Sequence, residues 1–293
     1  MQILESTFYG KYYFEVSLVL RSSLLLSSLL LNSEAWVNLT DKNIRALEQT
    51  DELLLTKILG CDTNTSNVFK YLELGIYPVR FELIKRKILF LHYLLQQDKN
   101  SMIFQVLKAT RENPANNDFV KTCQKYLDIL DIQLTFEELG NMSKWSVKKL
   151  VNVKISDAAF KYLIDIQVKQ SKISHIKYDE LSIQEYLLDG NRNTEVAKFV
   201  YKARSKTLDI KTQKSWKFKD KLCIGCGVNC ETGDEILSCT GLETEQEKDE
   251  NTTQSVFYDL FFVGKTSEMV EVAKVLMKRL KVRDKLLDDQ EQE

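Results

Sequence analysis

Two prolines and ten glycines in 293 residues leave most of this chain without a residue that interrupts a helix. The two prolines are Pro78 and Pro114, so the long stretches on either side of them can remain helical. Turn-rich β-folds need many more such residues, and the scarcity therefore favours a mainly α, multi-helical protein. The length allows one large domain or two modest ones with a sizeable core.

The ends of several helices can be read directly from the sequence. Thr40 is placed to cap a helix that Gly60 ends, with an apolar face between them. Ser66 is placed to cap a short helix, and Pro78 suits the first turn of the next one. Further helices are predicted near 102–111, 117–131, 144–170, 195–207 and 267–287. Short strands are expected only around the cysteines.

The leucine-rich run "VSLVLRSSLLLSSLLL" (16–31) is the segment most similar to a signal sequence or a membrane span. Arg21 and several serines interrupt it, whereas a spanning helix needs about 20 consecutive apolar residues. Glu5 and Glu15 precede the run, where a signal peptide would be basic. We therefore expect a buried amphipathic helix and no membrane segment.

Six cysteines in a chain of this length are too few and too scattered for a disulfide framework. We therefore expect reduced thiols and an intracellular protein.

Charge is distributed unevenly along the chain, although the net charge is only −1. Residues 141–221 carry 18 basic and 9 acidic side chains, whereas residues 222–293 carry 8 basic and 16 acidic ones. This basic middle followed by an acidic end is a charge pattern that the function of the chain has to explain.

The most basic stretch is "KFVYKARSKTLDIKTQKSWKFKDK" (198–221), with nine Lys or Arg and two Asp. Cations bind phosphate with release of counterions, and aromatic rings stack on unpaired bases. Charge alone supports nucleic-acid contact and a solvated surface with buried aromatics equally well. The candidate contact residues are Lys198, Tyr201, Lys202, Arg204, Lys206, Lys211, Lys214, Trp216, Lys217 and Lys219.

The cysteine run that follows is a candidate metal site. Cys223-x2-Cys226-x8-Glu235-x3-Cys239 has the spacing of a CCHC zinc site, with glutamate in the histidine position. Zinc accepts a carboxylate ligand, and Cys230 is an alternative fourth ligand. The competing interpretation is a site that lost its metal together with its histidine.

Residues suited to catalysis are sparse. The histidines are His92 and His175, neither beside a convincing partner, and His92 is expected to be packed within a helix. The adjacent aspartates Asp288 and Asp289 lie in a polar segment without a strand pattern, and the sequence has no glycine-rich phosphate loop. We therefore expect no enzymatic activity and no small-molecule substrate.

Four segments together resemble the region downstream of the polymerase palm in reverse transcriptases of non-LTR (LINE-like) retrotransposons. The segments are "LRSSLLLSSLLLNSEAWVNLT" (20–40), "YLELGIYPVRFELIKRKILFLHYLL" (71–95), "KFVYKARSKTLDIK" (198–211) and "CIGCGVNCETGDEILSC" (223–239). The resemblance covers roughly residues 16–242, in the order and spacing of that family.

The resemblance implies thumb-like helices, a helical linker with a basic C-terminal part and a CCHC-knuckle-like segment; the residues themselves add an acidic linker and a C-terminal amphipathic helix. These segments are 1–60, 61–221, 222–242, 243–266 and 267–293. It implies RNA or target DNA as the partner, and zinc bound by Cys223, Cys226 and Cys239, with Glu235 as the departure from the family. The catalytic palm is not in this sequence, so a non-catalytic fragment is implied, with helix 16–31 left open to a protein partner. The alternative is a helical interaction or scaffold protein derived from such a fragment.

Overall fold

The computed structural model describes residues 12–37, 39–113, 119–189, 194–214, 217–218, 220–243, 261 and 266–291. The described part is mainly α-helical, as predicted, and its β-pairing is limited to two isolated antiparallel bridges. Its α-helices are α1 (Tyr13–Leu20), α2 (Leu26–Leu29), α3 (Asp41–Leu59), α4 (Asn67–Glu73), α5 (Val79–Leu95), α6 (Met102–Glu112), α7 (Phe119–Ile129), α8 (Phe136–Asn141), α9 (Lys144–Gln167), α10 (Glu185–Asp189), α11 (Thr194–Arg204), α12 (Gly233–Ser238) and α13 (Thr266–Glu291).

The helix ends follow local chemistry. Thr40 caps α3 through a reciprocal capping box with Asn43, and Gly60 ends α3 in the left-handed region at φ 59°. Ser66 caps α4, with its hydroxyl accepting from the backbone N–H of Phe69. Pro78 directly precedes α5, one position earlier than predicted. The predicted ends at Thr40, Gly60 and Ser66 are confirmed.

The leucine-rich run is held in the protein by a buried arginine. A π-helical turn (Arg21–Leu25) joins α1 to α2, and the N–H of Leu26 donates to the Arg21 carbonyl five residues back. The Arg21 guanidinium points inward and binds the buried Asp51 of α3, with Nε 2.6 Å from Oδ1 and Nη2 2.7 Å from Oδ2. The residue that interrupts the apolar pattern is therefore part of the core.

Within the described ranges, no helix combines the length and the hydropathy that a bilayer-spanning segment requires.

One hydrophobic cluster is built around α5. It joins Ile88 and Leu91 of this helix to Leu127 of α7, Leu139 of α8 and Val151 of α9, all fully buried. His92 is also buried in α5, with Nε2 3.0 Å from the Met142 carbonyl oxygen, which confirms it as a packed helix residue.

The other large cluster extends from one end of the described chain to the other. It includes Phe14 of α1, Phe69 of α4, Ala197 of α11, Ile236 of α12 and Leu276 of α13. The segments 1–60, 61–221, 222–242 and 267–293 therefore share a core, and Phe261 brings one described residue of 243–266 into it. The helix α13 packs against α10, α11 and α12, so it is an integral part of the fold.

Candidate metal centre and nucleic-acid interface

The first two cysteines lie in a short hairpin. Leu222 and Cys230 form an antiparallel bridge, and the N–H of Cys223 donates to the Asn229 carbonyl at 2.7 Å. The N–H of Gly227 donates to the Cys223 carbonyl at 2.7 Å, with Gly227 in the left-handed region at φ 68°. This turn, which favours glycine, brings Cys223 and Cys226 to the same side of the hairpin.

The other two candidate ligands come from α12. Thr232 caps this helix by accepting from the N–H of Glu235, and the N–H of Cys239 donates to the Glu235 carbonyl at 2.8 Å as the helix ends. Asn229 of the hairpin donates its side-chain N–H to Oε2 of Glu235 at 2.9 Å. This hydrogen bond holds one carboxylate oxygen and leaves Oε1 directed at Cys226.

The four ligand atoms already have the spacing of a tetrahedral metal site. One ligand atom each from Cys223, Cys226, Glu235 and Cys239 lies within 4.8 Å of all the others. The sulfurs of Cys223 and Cys239 are 3.7 Å apart, and the Cys226 sulfur is 3.2 Å from Oε1 of Glu235. Two thiolates bound to tetrahedral zinc at about 2.3 Å are about 3.8 Å apart, so this cluster can hold a metal ion of that size.

Two glycines allow the hairpin and the end of α12 to approach each other. A Cβ on Gly225 would lie 2.9 Å from the Cys239 sulfur and 2.8 Å from a Leu242 side-chain carbon. A Cβ on Gly241 would lie 2.3 Å from the Gly225 carbonyl oxygen, closer than atoms can pack. Both positions therefore require glycine for the cluster to close.

The two inner thiols are buried and the second hairpin thiol is exposed. Burial, followed by the hydrogen bond with Cys223, raises the pKa of Cys239 to about 12. At neutral pH the metal-free thiol of Cys239 is therefore protonated, and a metal ion must displace that proton to bind. Cys226 is the accessible ligand, at the outer side of the cluster.

The structure separates the two candidates for the fourth ligand. Glu235 belongs to the cluster, whereas Cys230 is an exposed residue on the returning strand of the hairpin and lies outside it. The physical reason is the pairing of Cys230 with Leu222, which places Cys230 away from the turn that carries Cys223 and Cys226.

Three charged residues that the sequence interpretation missed attach the cluster to α13. Arg279 donates from Nη1 to the carbonyls of Ile236 (3.1 Å) and Leu237 at the end of α12. Arg283 binds the fully buried Glu231 with Nη2 2.8 Å from Oε1. Both arginines lie on the inward stripe of α13 with Leu276. Their spacing from Leu276 in the sequence is the feature that could have predicted their burial.

In the basic stretch 198–221, several side chains that were expected to contact nucleic acid are buried or paired within the protein. Arg204 is 5% exposed, and its guanidinium binds the fully buried Glu73, with Nη2 3.0 Å from Oε1. Its Nη1 also donates to the Phe261 carbonyl at 2.7 Å. The prediction that Arg204 contacts phosphate is wrong for this conformation, because the charge is already used within the core.

Tyr201 is also corrected, since its ring is fully buried against Phe69 with ring centres 5.1 Å apart and cannot stack on a base. Lys211 is buried and pairs with Asp220 at 2.8 Å, and Lys214 pairs with Asp62. These two lysines are therefore engaged in ion pairs that a phosphate would have to displace.

The other candidates of this stretch are less constrained. Lys198 lies 4.9 Å from the Tyr13 ring centre, and Lys202 and Lys206 are half-buried. Lys217 is exposed and 2.8 Å from the Asp209 carboxylate. Trp216 and Lys219 lie outside the described residues.

A more open basic surface lies at the start of α9, inside the basic segment 141–221. Trp145 is 70% exposed, and the Lys149 ammonium lies 5.3 Å from its ring centre. Lys144 and Lys148 are exposed beside them, one helical turn apart. The sequence pattern that indicates this surface is "KWSVKK", a tryptophan among three lysines. The sequence interpretation favoured the longer basic run 198–221 instead.

Comparison of the whole chain with family models, with curated proteins and with solved structures gives no match.

Proposed function

We propose that the chain is a non-catalytic, zinc-containing protein that binds single-stranded nucleic acid, and that it derives from the C-terminal region of a non-LTR reverse transcriptase. The observation that carries the binding function is the exposed Trp145 among Lys144, Lys148 and Lys149 at the start of α9. Stacking of a base on an exposed ring, beside cations that bind the backbone, is the usual mode of sequence-tolerant single-strand binding.

The position of Lys144 in the first turn of α9 supports a role in binding, and Lys148 and Lys149 follow in the second turn. The first turn of a helix has a partial positive charge, so lysines there are unfavourable and acidic residues are preferred. The first turn of α9 has no acidic residue, and Ser143 caps it by accepting from the N–H of Ser146. The helix dipole and the three ammonium groups therefore add to one positive potential that attracts phosphate.

Zinc in the Cys223–Cys226–Glu235–Cys239 cluster has a structural role in this proposal. Four protein ligands leave no open position, which is typical of structural rather than catalytic zinc. The ion would hold the hairpin to the end of α12, which Arg279 ties to α13. Bound zinc would thus stabilise the core cluster that contains Ile236 of α12 and Leu276 of α13.

A non-catalytic role agrees with the position of the adjacent aspartates. Asp288 and Asp289 are exposed on the last turns of α13. Neighbouring residues of one helix point about 100° apart, so this pair is not preorganised to bridge two metal ions about 4 Å apart.

Binding of a fluorescent single-stranded RNA oligonucleotide, followed by anisotropy, tests the binding proposal. Trp145→Ala should weaken affinity roughly tenfold, because one base–aromatic stack contributes about 1–3 kcal/mol. Val153→Ala is the matched control. Val153 is also exposed on α9, and its replacement by alanine removes apolar surface without removing an aromatic ring. Equal affinities of the parent and Trp145→Ala proteins would overturn the proposal.

A second candidate function is protein binding through helix 16–31. Leu26 and Leu30 are buried against Val79 and Leu83, but Val19, Leu24 and Leu31 are each more than 60% exposed. Exposed leucines of this kind suit an apolar partner. If the partner is a second copy, Leu24→Lys should lower the sedimentation coefficient at high protein concentration to that of the monomer.

A further inference from the structure

Lys87 is a buried ammonium group in the middle of α5. The residue is 1% exposed, and its Nζ donates to the backbone carbonyl of Trp36 and lies 5.2 Å from the Phe119 ring centre. Burial lowers the pKa of Lys87, since removal from water disfavours its charged form. Among the described residues, no carboxylate lies within ion-pair distance of this ammonium group.

A buried charge of this kind is expensive to maintain without a counter-ion. An aliphatic side chain of similar length would fill the same space in α5 and avoid that expense. The hydrogen bond to the Trp36 carbonyl leaves two of the three ammonium donors without an acceptor among the described residues. The position of Lys87 therefore points to an anion that is supplied from outside the chain.

The space for such an anion is a cleft of about 440 Å³ that Lys87 lines. Two exposed lysines of α7, Lys121 and Lys125, line it one helical turn apart, so positive charge is present at both its depth and its rim. Trp36 and Tyr126 contribute aromatic rings. The volume lies within the usual range for small-ligand pockets.

The other charged residues of the cleft have partners or lie at its edge. Arg80 is engaged by Glu48 through two bonds, with Nε 2.6 Å from Oε1 and Nη2 2.9 Å from Oε2. Asp41 is the acidic residue among the described lining, and it is exposed in the first turn of α3. The inner part of the cleft is therefore cationic, and Lys87 provides its available donors.

We propose that this cleft binds a nucleotide phosphate, with the phosphate on Lys87 and the two α7 lysines and the base against Trp36 or Tyr126. Three ammonium groups suit a phosphomonoester dianion, and aromatic walls suit a heterocyclic ring. This site is on α5 and α7 and is independent of the Trp145 surface. The ligand is either a free nucleotide or the 5′-terminal nucleotide of a strand, because both present the same phosphomonoester and base.

Isothermal titration calorimetry with AMP, adenosine and ribose 5-phosphate tests the proposal. AMP should bind more tightly than either fragment, since only AMP supplies both the phosphate and the ring. Lys87→Met should weaken AMP binding at least roughly tenfold. The same variant should melt at an equal or higher temperature than the parent, because it removes a buried charge and keeps the packing volume.

Two further variants keep the test decisive. Lys85→Met on α5 removes a half-buried lysine that lies 4.0 Å from Glu82 and does not line the cleft, so AMP affinity should be unchanged. Lys125→Ala alters the exposed rim without disturbing the core and should weaken AMP binding several-fold, even if Lys87→Met fails to fold.

Three outcomes would overturn the proposal: equal AMP affinity in Lys87→Met and the parent, equal affinity for AMP and adenosine, or equal affinity for AMP and ribose 5-phosphate. A 5′-phosphorylated oligonucleotide compared with its 5′-hydroxyl form then distinguishes the two sources. Competition with AMP by the phosphorylated form alone assigns the site to a strand end, and competition by neither form assigns it to a free nucleotide.

Discussion

The guanidinium group of Arg204 lies 3.0 Å from the carboxylate of Glu73, across 131 residues of sequence, and both side chains are buried. Tyr178 and Tyr186 donate their hydroxyls to the same carboxylate. The end of α4, the segment before α10, α10 itself and the end of α11 thus meet at one charged centre. A cation that looked like a phosphate ligand is instead a structural counter-ion.

Replacement of Arg204 by methionine should therefore destabilise the protein strongly. Removal of one partner leaves the Glu73 charge buried without a cation, and such losses lower the free energy of unfolding by about 3–5 kcal/mol. Urea denaturation measures the change. Lys202→Met, a half-buried cation on the same helix, should lower it by about 0.5 kcal/mol or less. Equal losses in the two variants would contradict the structural role of Arg204.

Stability should fall at alkaline pH because of the tyrosines around Glu73. Burial and then the nearby Glu73 charge raise the pKa of Tyr186 well above its ordinary value of 10.0. Below the ordinary pKa of 10.0, the Tyr186 hydroxyl keeps its proton in both the folded and the unfolded protein. Above 10.0 only the unfolded protein releases this proton, so the free energy of unfolding decreases as pH rises. The decrease approaches about 1.4 kcal/mol per pH unit for each such tyrosine.

Tyr186→Phe should remove the contribution of the Tyr186 hydroxyl to the decrease in the free energy of unfolding at alkaline pH. Urea denaturation at several pH values between about 9 and about 11 measures the slope for each protein. Tyr93→Phe, in which a half-exposed tyrosine is changed, should keep the slope of the parent. If Tyr186→Phe and the parent lose stability in parallel, the buried tyrosine does not control the alkaline transition.

The zinc affinity of the metal centre should respond differently to substitution of its two candidate fourth ligands. Glu235→His should tighten zinc binding at least about tenfold, because neutral imidazole is the more usual ligand in structural sites. Cys230→Ser should leave zinc affinity unchanged, because Cys230 lies outside the cluster. Competition with a chromogenic chelator gives the affinities. A parent protein and a Glu235→His variant that both lack zinc after dialysis would exclude the site.

The basic surface of α9 should set the salt dependence of nucleic-acid binding. Lys148→Ala/Lys149→Ala should reduce the slope of log K against log salt by about 1.4 for single strands, since each phosphate contact contributes about 0.7. Lys161→Ala/Lys169→Ala removes two exposed lysines from the other end of this region and should change the slope much less. Equal changes would show that binding depends on overall charge rather than on this surface.

Local features of the fold were predictable, because their causes lie within one turn of chain. Thr40 and Gly60 set the ends of α3 through capping and a left-handed glycine, which need no distant partner. The apolar stripe of α13 and the spacing of Cys223, Cys226 and Cys239 were also readable, and the structure joins these cysteines with Glu235.

Features that depend on distant partners were not predictable. Charge and spacing do not reveal whether Arg204 is solvated or paired with a residue 131 positions away. The choice between Glu235 and Cys230 depends on which side of a hairpin each residue faces, and the Leu222–Cys230 pairing decides that. Lys87 gave no signal at all, because a lysine in an amphipathic helix normally reaches solvent.

The π-helical turn at Arg21–Leu25 makes this part of the chain sensitive to deletion in a way that substitution would not reveal. Its extra residue lets Phe14 and Arg21 face the core before the turn while Leu26 and Leu30 face it afterwards. Loss of one codon from 21–25 would rotate one side by about 100° relative to the other and expose one of these sets. Among related sequences, the exposed residues 22–24 of this turn should therefore vary in type, whereas Arg21 and the length of the turn should be kept.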